Sequence, residues 1–210
     1  PHTVVFSFTI TNTDTTANHN LKFVTPNPLI MFSRARLHLN STLCEDIAMF
    51  GRWVNLMDHL LPYRKRLARY GTSGLGTATP NDPNAAAAPI APGKTRKVTV
   101  KLPLGIFEQH LWLPLKHCPI TLELELNPTV EAYLDTSANG STTFTISDCR
   151  ILADVCMPDG ALENKMSEHL LQGCPVRISF VSRTNIMNNI SPAGTDGAVS
   201  GQVRRALQPH

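Results

Sequence analysis

The sequence predicts an antiparallel β-sandwich interrupted by two helices. Three observations carry that expectation. Alternation of apolar and polar residues with a period of two recurs along most of the chain. Only two stretches switch to the three- and four-residue spacing of an amphipathic helix. The helices do not follow strands one for one, as a parallel α/β sheet requires.

Taken in order, residues 3–10 place Val4, Phe6, Phe8 and Ile10 on one face of a half-buried strand. Residues 11–20 are polar and read as a loop. A short strand at 21–24 ends at Pro26 and Pro28, and alternation resumes over 29–39, with Ala35, Leu37 and Leu39 opposed to Arg34, Arg36 and His38. Asn40-Ser41 reads as a turn. From Glu45 the spacing of Ile47, Phe50, Val54, Met57 and Leu61 predicts a first helix over 45–61. Glu45 and Asp46 stand in its first turn, where carboxylates favour the helix dipole, and Pro62 stops it. Residues 71–93 are rich in Gly, Ala, Thr, Asn and Pro, which predicts an exposed, mobile insertion. Strands are expected at 98–102, 111–115, 120–126, 143–146 and 149–156. The cleanest is 120–126, with Ile120, Leu122, Leu124 and Leu126 inward. Asp159 is expected to cap a second helix, with Leu162, Met166 and Leu170 on one face and Gly173 as its stop. After Pro175, residues 176–181 read as a strand that opens another β-domain.

Composition narrows the function classes. Hydrophobic residues make up 42% of the 210 and charged residues 17%, a globular balance with sparse charge that suits a surface covered by neighbours. The net charge of +3 lacks the strong, clustered excess of a nucleic-acid binder, so such contact is left open but not indicated. No apolar run reaches the length of a membrane span, and the start shows no signal-peptide pattern. Cys44, Cys118, Cys149, Cys156 and Cys174 are odd in number and form no Cys-x-x-Cys pair, so they read as reduced, mostly buried thiols of a protein made inside a cell.

Catalytic and metal signatures find little support. Glu108, His110, His117 and Cys118 lie close in sequence, but their spacing fits no familiar metal motif, and no metal or cofactor is expected. Gly71, Gly74 and Gly76 lack the strand–turn–helix setting of a phosphate cradle. Asp58-His59 reads as a solvated helix end, not a dyad, and no nucleophile elbow occurs. The Asn-x-Ser/Thr sequons at Asn40, Asn139 and Asn189 read as chance without a secretory signal. The chain is therefore not expected to be an enzyme. Two basic runs, Arg64, Lys65, Arg66 and Arg69, then Lys94, Arg96, Lys97 and Lys101, read as solvated faces or as contacts to acidic neighbours or packaged nucleic acid. Trp53 and Trp112 are large anchors for a core or an interface.

Three ordered segments carry a resemblance. The first runs from Leu29-Ile30-Met31-Phe32-Ser33-Arg34-Ala35-Arg36-Leu37 through Cys44-Glu45-Asp46-Ile47 to Leu60-Leu61-Pro62. The second runs from Leu102-Pro103-Leu104-Gly105-Ile106-Phe107 through Leu113-Pro114-Leu115-Lys116-His117-Cys118-Pro119-Ile120 to Leu126. The third runs from Ile151-Leu152-Ala153-Asp154-Val155-Cys156-Met157-Pro158-Asp159 to His169-Leu170-Leu171-Gln172-Gly173. Their order and spacing resemble the double-jelly-roll major capsid proteins of polinton-like viruses, virophage-related elements and adintoviruses.

The resemblance implies two eight-stranded jelly rolls per subunit, a homotrimer that forms a pseudo-hexameric capsomer, and an icosahedral DNA-virus shell. Residues 1–157 would then hold the first roll without its N-terminal end, with 71–93 as a surface insertion. Residues 158–174 would be the connecting helix, and 175–210 the truncated start of the second roll. Partners would be further copies of the subunit and minor or penton capsid proteins, and the protein would reside in the virion. Candidate interface residues are Trp53, Arg64, Lys65, Arg66, Arg69 and Trp112. The alternative from another class is a ligand-binding sandwich of lectin-like or cupin-like type.

Overall fold

The computed structural model describes residues 3–185. Within them two three-stranded antiparallel sheets face one another across a shared apolar core. In the first, β1 (Val5–Asn12) lies between β4 (Thr95–Val100) and β6 (Phe144–Leu152). In the second, β2 (Phe32–Leu39) lies between β3 (Thr42–Ala48) and β5 (Ile120–Leu126). The β-rich sandwich expected from the alternation is thus present.

The alternation of β1 sets the core. Val4, Phe6, Phe8 and Ile10 are all buried, as the period of two requires. Phe6 and Phe8 each meet Phe32 of β2 edge-on at 6.1 Å between ring centroids, which joins the two sheets. β2 and β3 form a hairpin whose turn residues Asn40 and Ser41 both have positive φ. Such a two-residue turn matches the right-handed twist of the strands, and Asn tolerates that conformation.

Several elements differ from the sequence expectation. Residues 45–48 belong to β3, not to a helix. Arg34 faces Ala48 and Arg36 faces Asp46 across the ladder, and that pairing with β2 outweighs the short helical spacing. Glu45 then points into the core while Asp46 points out to Arg34. The first helix, α1 (Phe50–His59), starts only after Met49, whose positive φ breaks the strand. Pro62 ends one helix but also opens another, α2 (Tyr63–Ser73), whose first turn closes through Arg66 N–H on the Pro62 carbonyl at 3.1 Å. Gly74 ends α2 at φ +90°, and a Cβ there would collide with the Lys97 carbonyl of β4.

Of residues 71–93 the first three close α2, and 74–93 are irregular but are not a detached surface loop. Leu75, Ala87 and Ile90 are buried, and Ile90 forms an isolated bridge with Leu21. Arg96 holds the segment from within, donating to the carbonyls of Leu75, Ala88 and Pro89 at 2.8, 2.8 and 3.1 Å. Residues 21–24 likewise make isolated bridges instead of a strand.

Residues 111–115 form no strand; they run irregularly into a turn at 115–117. Pro114 lacks a ladder donor, and its carbonyl accepts from His117 and Cys118 N–H at 2.9 Å. The short helix α3 (Gly105–Glu108) precedes it and buries Ile106 and Phe107. The two strands expected at 143–146 and 149–156 are one strand, β6, carrying a bulge at Asp148, where φ is +52°. Ser7 and Thr9 of β1 oppose Arg150 and Ser147, so one extra residue is accommodated. The bulge moves the inward face from the even position Ile146 to the odd position Ile151, which is why the alternation breaks in the sequence.

α4 (Gly160–Leu171) follows Asp159 as expected, although the Asp159 side chain makes no capping hydrogen bond. None of its residues is buried, and Leu162 is 60% exposed. Residues 176–181 carry no regular secondary structure and join no sheet among the described residues. The remainder of the expected second roll lies outside the described residues. No helix among the described residues is long and apolar enough to cross a membrane.

Candidate interaction surface

Six residues were singled out by sequence as interface candidates, and the fold gives them different environments. Arg64 and Lys65 project to solvent from the first turn of α2. Arg66, two positions after Arg64 and so on the opposite side of α2, is buried. Its guanidinium donates to Asn84 Oδ1 and to His59 Nδ1, both at 2.8 Å. Arg69 pairs with the carboxylate of Asp58, which is fully buried. The basic run is therefore split: two cations face outward and two tie α2 to its surroundings.

Asp58 is the centre of that tie, which corrects the expectation of a solvated helix end. Asn27 Nδ2 donates to its Oδ2 at 2.7 Å, while Asn27 Oδ1 accepts from Leu29 N–H and starts the 3-10 turn Pro28–Met31. One carboxylate thus joins α1, α2 and that turn. Burial pushes the Asp58 carboxyl above its ordinary range, opposed by the Arg69 charge and by its hydrogen-bonding neighbours. The buried Tyr70 phenol beside it is pushed up to about 12, by burial first and then by the Asp58 charge. This cluster is closed by packing, and its chemistry is that of a structural staple.

A second carboxylate, Glu45 of β3, performs a comparable task. Its two oxygens accept from Gly105 N–H and Arg183 N–H, each at 3.0 Å. Burial raises its pKa despite these donors. Arg183 also donates to the Pro103 carbonyl, pairs with Glu108 and sits over the Trp53 ring at 5.8 Å. Trp53 stacks on Phe50 at 6.2 Å and packs against the core, so it is half covered by its own chain. Trp112 has the opposite setting: it is 65% exposed in the 111–115 segment, with Leu111 and Leu115 exposed beside it in sequence.

Sequence reasoning missed two further exposed apolar regions. One is the α1–α2 corner, where Leu56 and Leu60 share a helix face and Tyr63 follows, all exposed. Its signal was the apolar excess of 56–63 beyond the single stripe assigned to the core. The other is a groove between β5 and β6, floored by Phe6 and Phe32 and walled by Leu122, Leu124, Ile146 and Ile151. The sequence marks only the apolar faces of these strands; the open edges follow from the pairing, which gives β5 and β6 one partner each among the described residues.

The other flagged residues do not converge. Among the described residues no group of three or more His, Cys, Asp and Glu side chains comes together as a metal could require. All five cysteines are free. Cys149 and Cys156 are exposed and the others half-buried, against the expectation of mostly buried thiols, because they lie on open edges and connecting segments. Of the second basic run, Lys94, Lys97 and Lys101 are exposed while Arg96 turns inward. Comparison of the chain with protein-family models, with curated proteins and with solved structures gives no match.

Proposed function

We propose that this chain is most of the first jelly roll of a viral major capsid protein, a structural subunit without catalytic activity that trimerises and tiles an icosahedral shell. The observation that carries this proposal is the strand order. In an eight-stranded jelly roll, strands B, D, G and I form one sheet in the order B-I-D-G, and C, E, F and H form the other in the order C-H-E-F. The six strands here, taken as D to I, agree with that scheme in sheet membership and in every neighbour: β4-β1-β6 is G-D-I, and β3-β2-β5 is F-E-H.

Further support comes from what the surface leaves uncovered. The segment around Trp112, the α1–α2 corner and the unburied α4 all leave large apolar side chains exposed, more than one small-molecule site would use. An assembling subunit with several lateral neighbours and a second roll needs such regions, since stable interfaces each bury about 1,000 Å² or more. Arg64 and Lys65 then offer outward cations to neighbouring subunits. The resemblance in the three ordered sequence segments agrees with this assignment.

Electron microscopy of the complete gene product, expressed alone and concentrated, tests the proposal. Closed shells or sheets of pseudo-hexagonal capsomers are expected. Dispersed single-subunit particles under conditions that keep the protein folded would overturn it.

A further inference from the structure

We infer that Glu45, Trp53, Pro103, Gly105 and Glu108 form a docking cradle for an arginine-bearing peptide segment, which the chain fills with its own residues 180–185 as a releasable strap. The inference does not rest on the capsid assignment. Three observations carry it.

First, the cradle is part of the core. Glu45 is buried on β3, and Leu104, Gly105, Ile106 and Phe107 are buried at α3. Gly105 N–H donates to one Glu45 oxygen at 3.0 Å, which leaves the other for an incoming donor. Gly105 also clears the approach, since a Cβ there would overlap the Val181 carbonyl. It has no positive φ, so its backbone does not require glycine; the strap does.

Second, the occupant matches the cradle chemically. Arg183 N–H donates to the second Glu45 oxygen at 3.0 Å. Its guanidinium donates to the Pro103 carbonyl at 2.8 Å, pairs with Glu108 and lies 5.8 Å from the centre of the Trp53 ring. A carboxylate, a carbonyl and an aromatic face together select the forked cation of Arg. On either side, Ser182 Oγ and Asn185 Nδ2 donate to the carbonyls of Cys44 and Ala48 at 3.3 and 2.9 Å. Both carbonyls belong to β3, an edge strand with β2 as its one partner among the described residues. The strap caps that edge through side chains, without a ladder.

Third, the strap is held lightly while the cradle is not. None of residues 153–185 is buried, and Phe180 alone of 180–185 packs partly against the core. A segment with so little buried apolar surface opens at a low local free energy, whereas the cradle opens only with the core. Docking therefore fixes the far end of the arm that carries α4, and release frees that arm and uncovers the β3 edge.

Trypsin tests this, because it must take the arginine side chain into its own pocket. Docked Arg183 is then protected, and exposed Arg177 is the internal control. In the complete protein, initial cleavage after Arg183 should run about tenfold slower than after Arg177, each normalised to the denatured chain, at any protein concentration. Gly105→Ala closes the cradle without touching the strap, and Glu108→Ala removes a partner from the surface. Each should raise relative cleavage after Arg183 by about threefold or more, with the thermal midpoint of Glu108→Ala within about 3 °C of the parent. If Gly105→Ala does not fold, Glu108→Ala decides. Equal cleavage after the two arginines overturns the inference. So does protection that is lost only when the whole fold is lost, which would make the strap part of the core. Protection that grows with protein concentration also overturns it, by assigning the cradle to a second copy.

Discussion

At the scale of single residues, the most informative group is Asp58. A buried carboxylate is costly unless its charge is paired, and here Arg69 and Asn27 supply the partners. Because burial still raises its pKa, the folded protein binds that proton more tightly than the unfolded chain does. Its pH-dependent contribution therefore favours folding fully below the ordinary Asp pKa and is lost as pH rises through the raised value. Asp58→Asn mimics the protonated form and removes this dependence. Measured by urea unfolding, its stability relative to the parent should improve as pH rises from about 3 to about 6. Parallel pH profiles would contradict the assignment. Asp58→Ala, which also strips Asn27 and Arg69 of their acceptor, should be roughly 2–3 kcal/mol less stable than Asp58→Asn across that range.

At the scale of elements, legibility followed the length and regularity of the pattern. β1, β2 and β5 were readable because each places its apolar residues at alternate positions over most of its length. β6 was split in two because the bulge at Asp148 inverts the alternation midway. Residues 45–48 were assigned to a helix because Ile47 stands three positions before Phe50, at helical spacing; over so few positions only the partner strand decides. α2 was missed because its buried residues include Arg66 and Ser73, which no hydrophobic pattern marks. The interface candidates were half legible for the same reason: charge is visible in the sequence, but not whether Asp58 or solvent receives it. Residues 71–93 are the largest correction, and Arg96 is its cause, since one guanidinium satisfies three carbonyls of an otherwise irregular segment. Arg96→Ala should destabilise the fold by about 2 kcal/mol and should accelerate hydrogen exchange over 75–90. Unchanged thermal stability together with unchanged exchange would show that the segment is held by Leu75, Ala87 and Ile90 alone.

At the scale of the whole molecule, the sandwich has a well-filled centre and unfinished margins. The sheets meet through Phe6, Phe8 and Phe32, while α4, the Trp112 segment, the α1–α2 corner and the β5–β6 groove remain uncovered. On the proposed capsid reading, neighbouring subunits would cover these outer faces. Arg64 and Lys65 are the exposed members of the first basic run, so any salt-sensitive part of assembly attributed to that run rests on them. The central claim is that the complete protein is a trimeric building block. Its mass should be measured by light scattering coupled to size-exclusion chromatography at micromolar concentration. The account predicts three subunits per particle or a larger assembly built from trimers; a stable monomer that binds a sugar or a metal would contradict it.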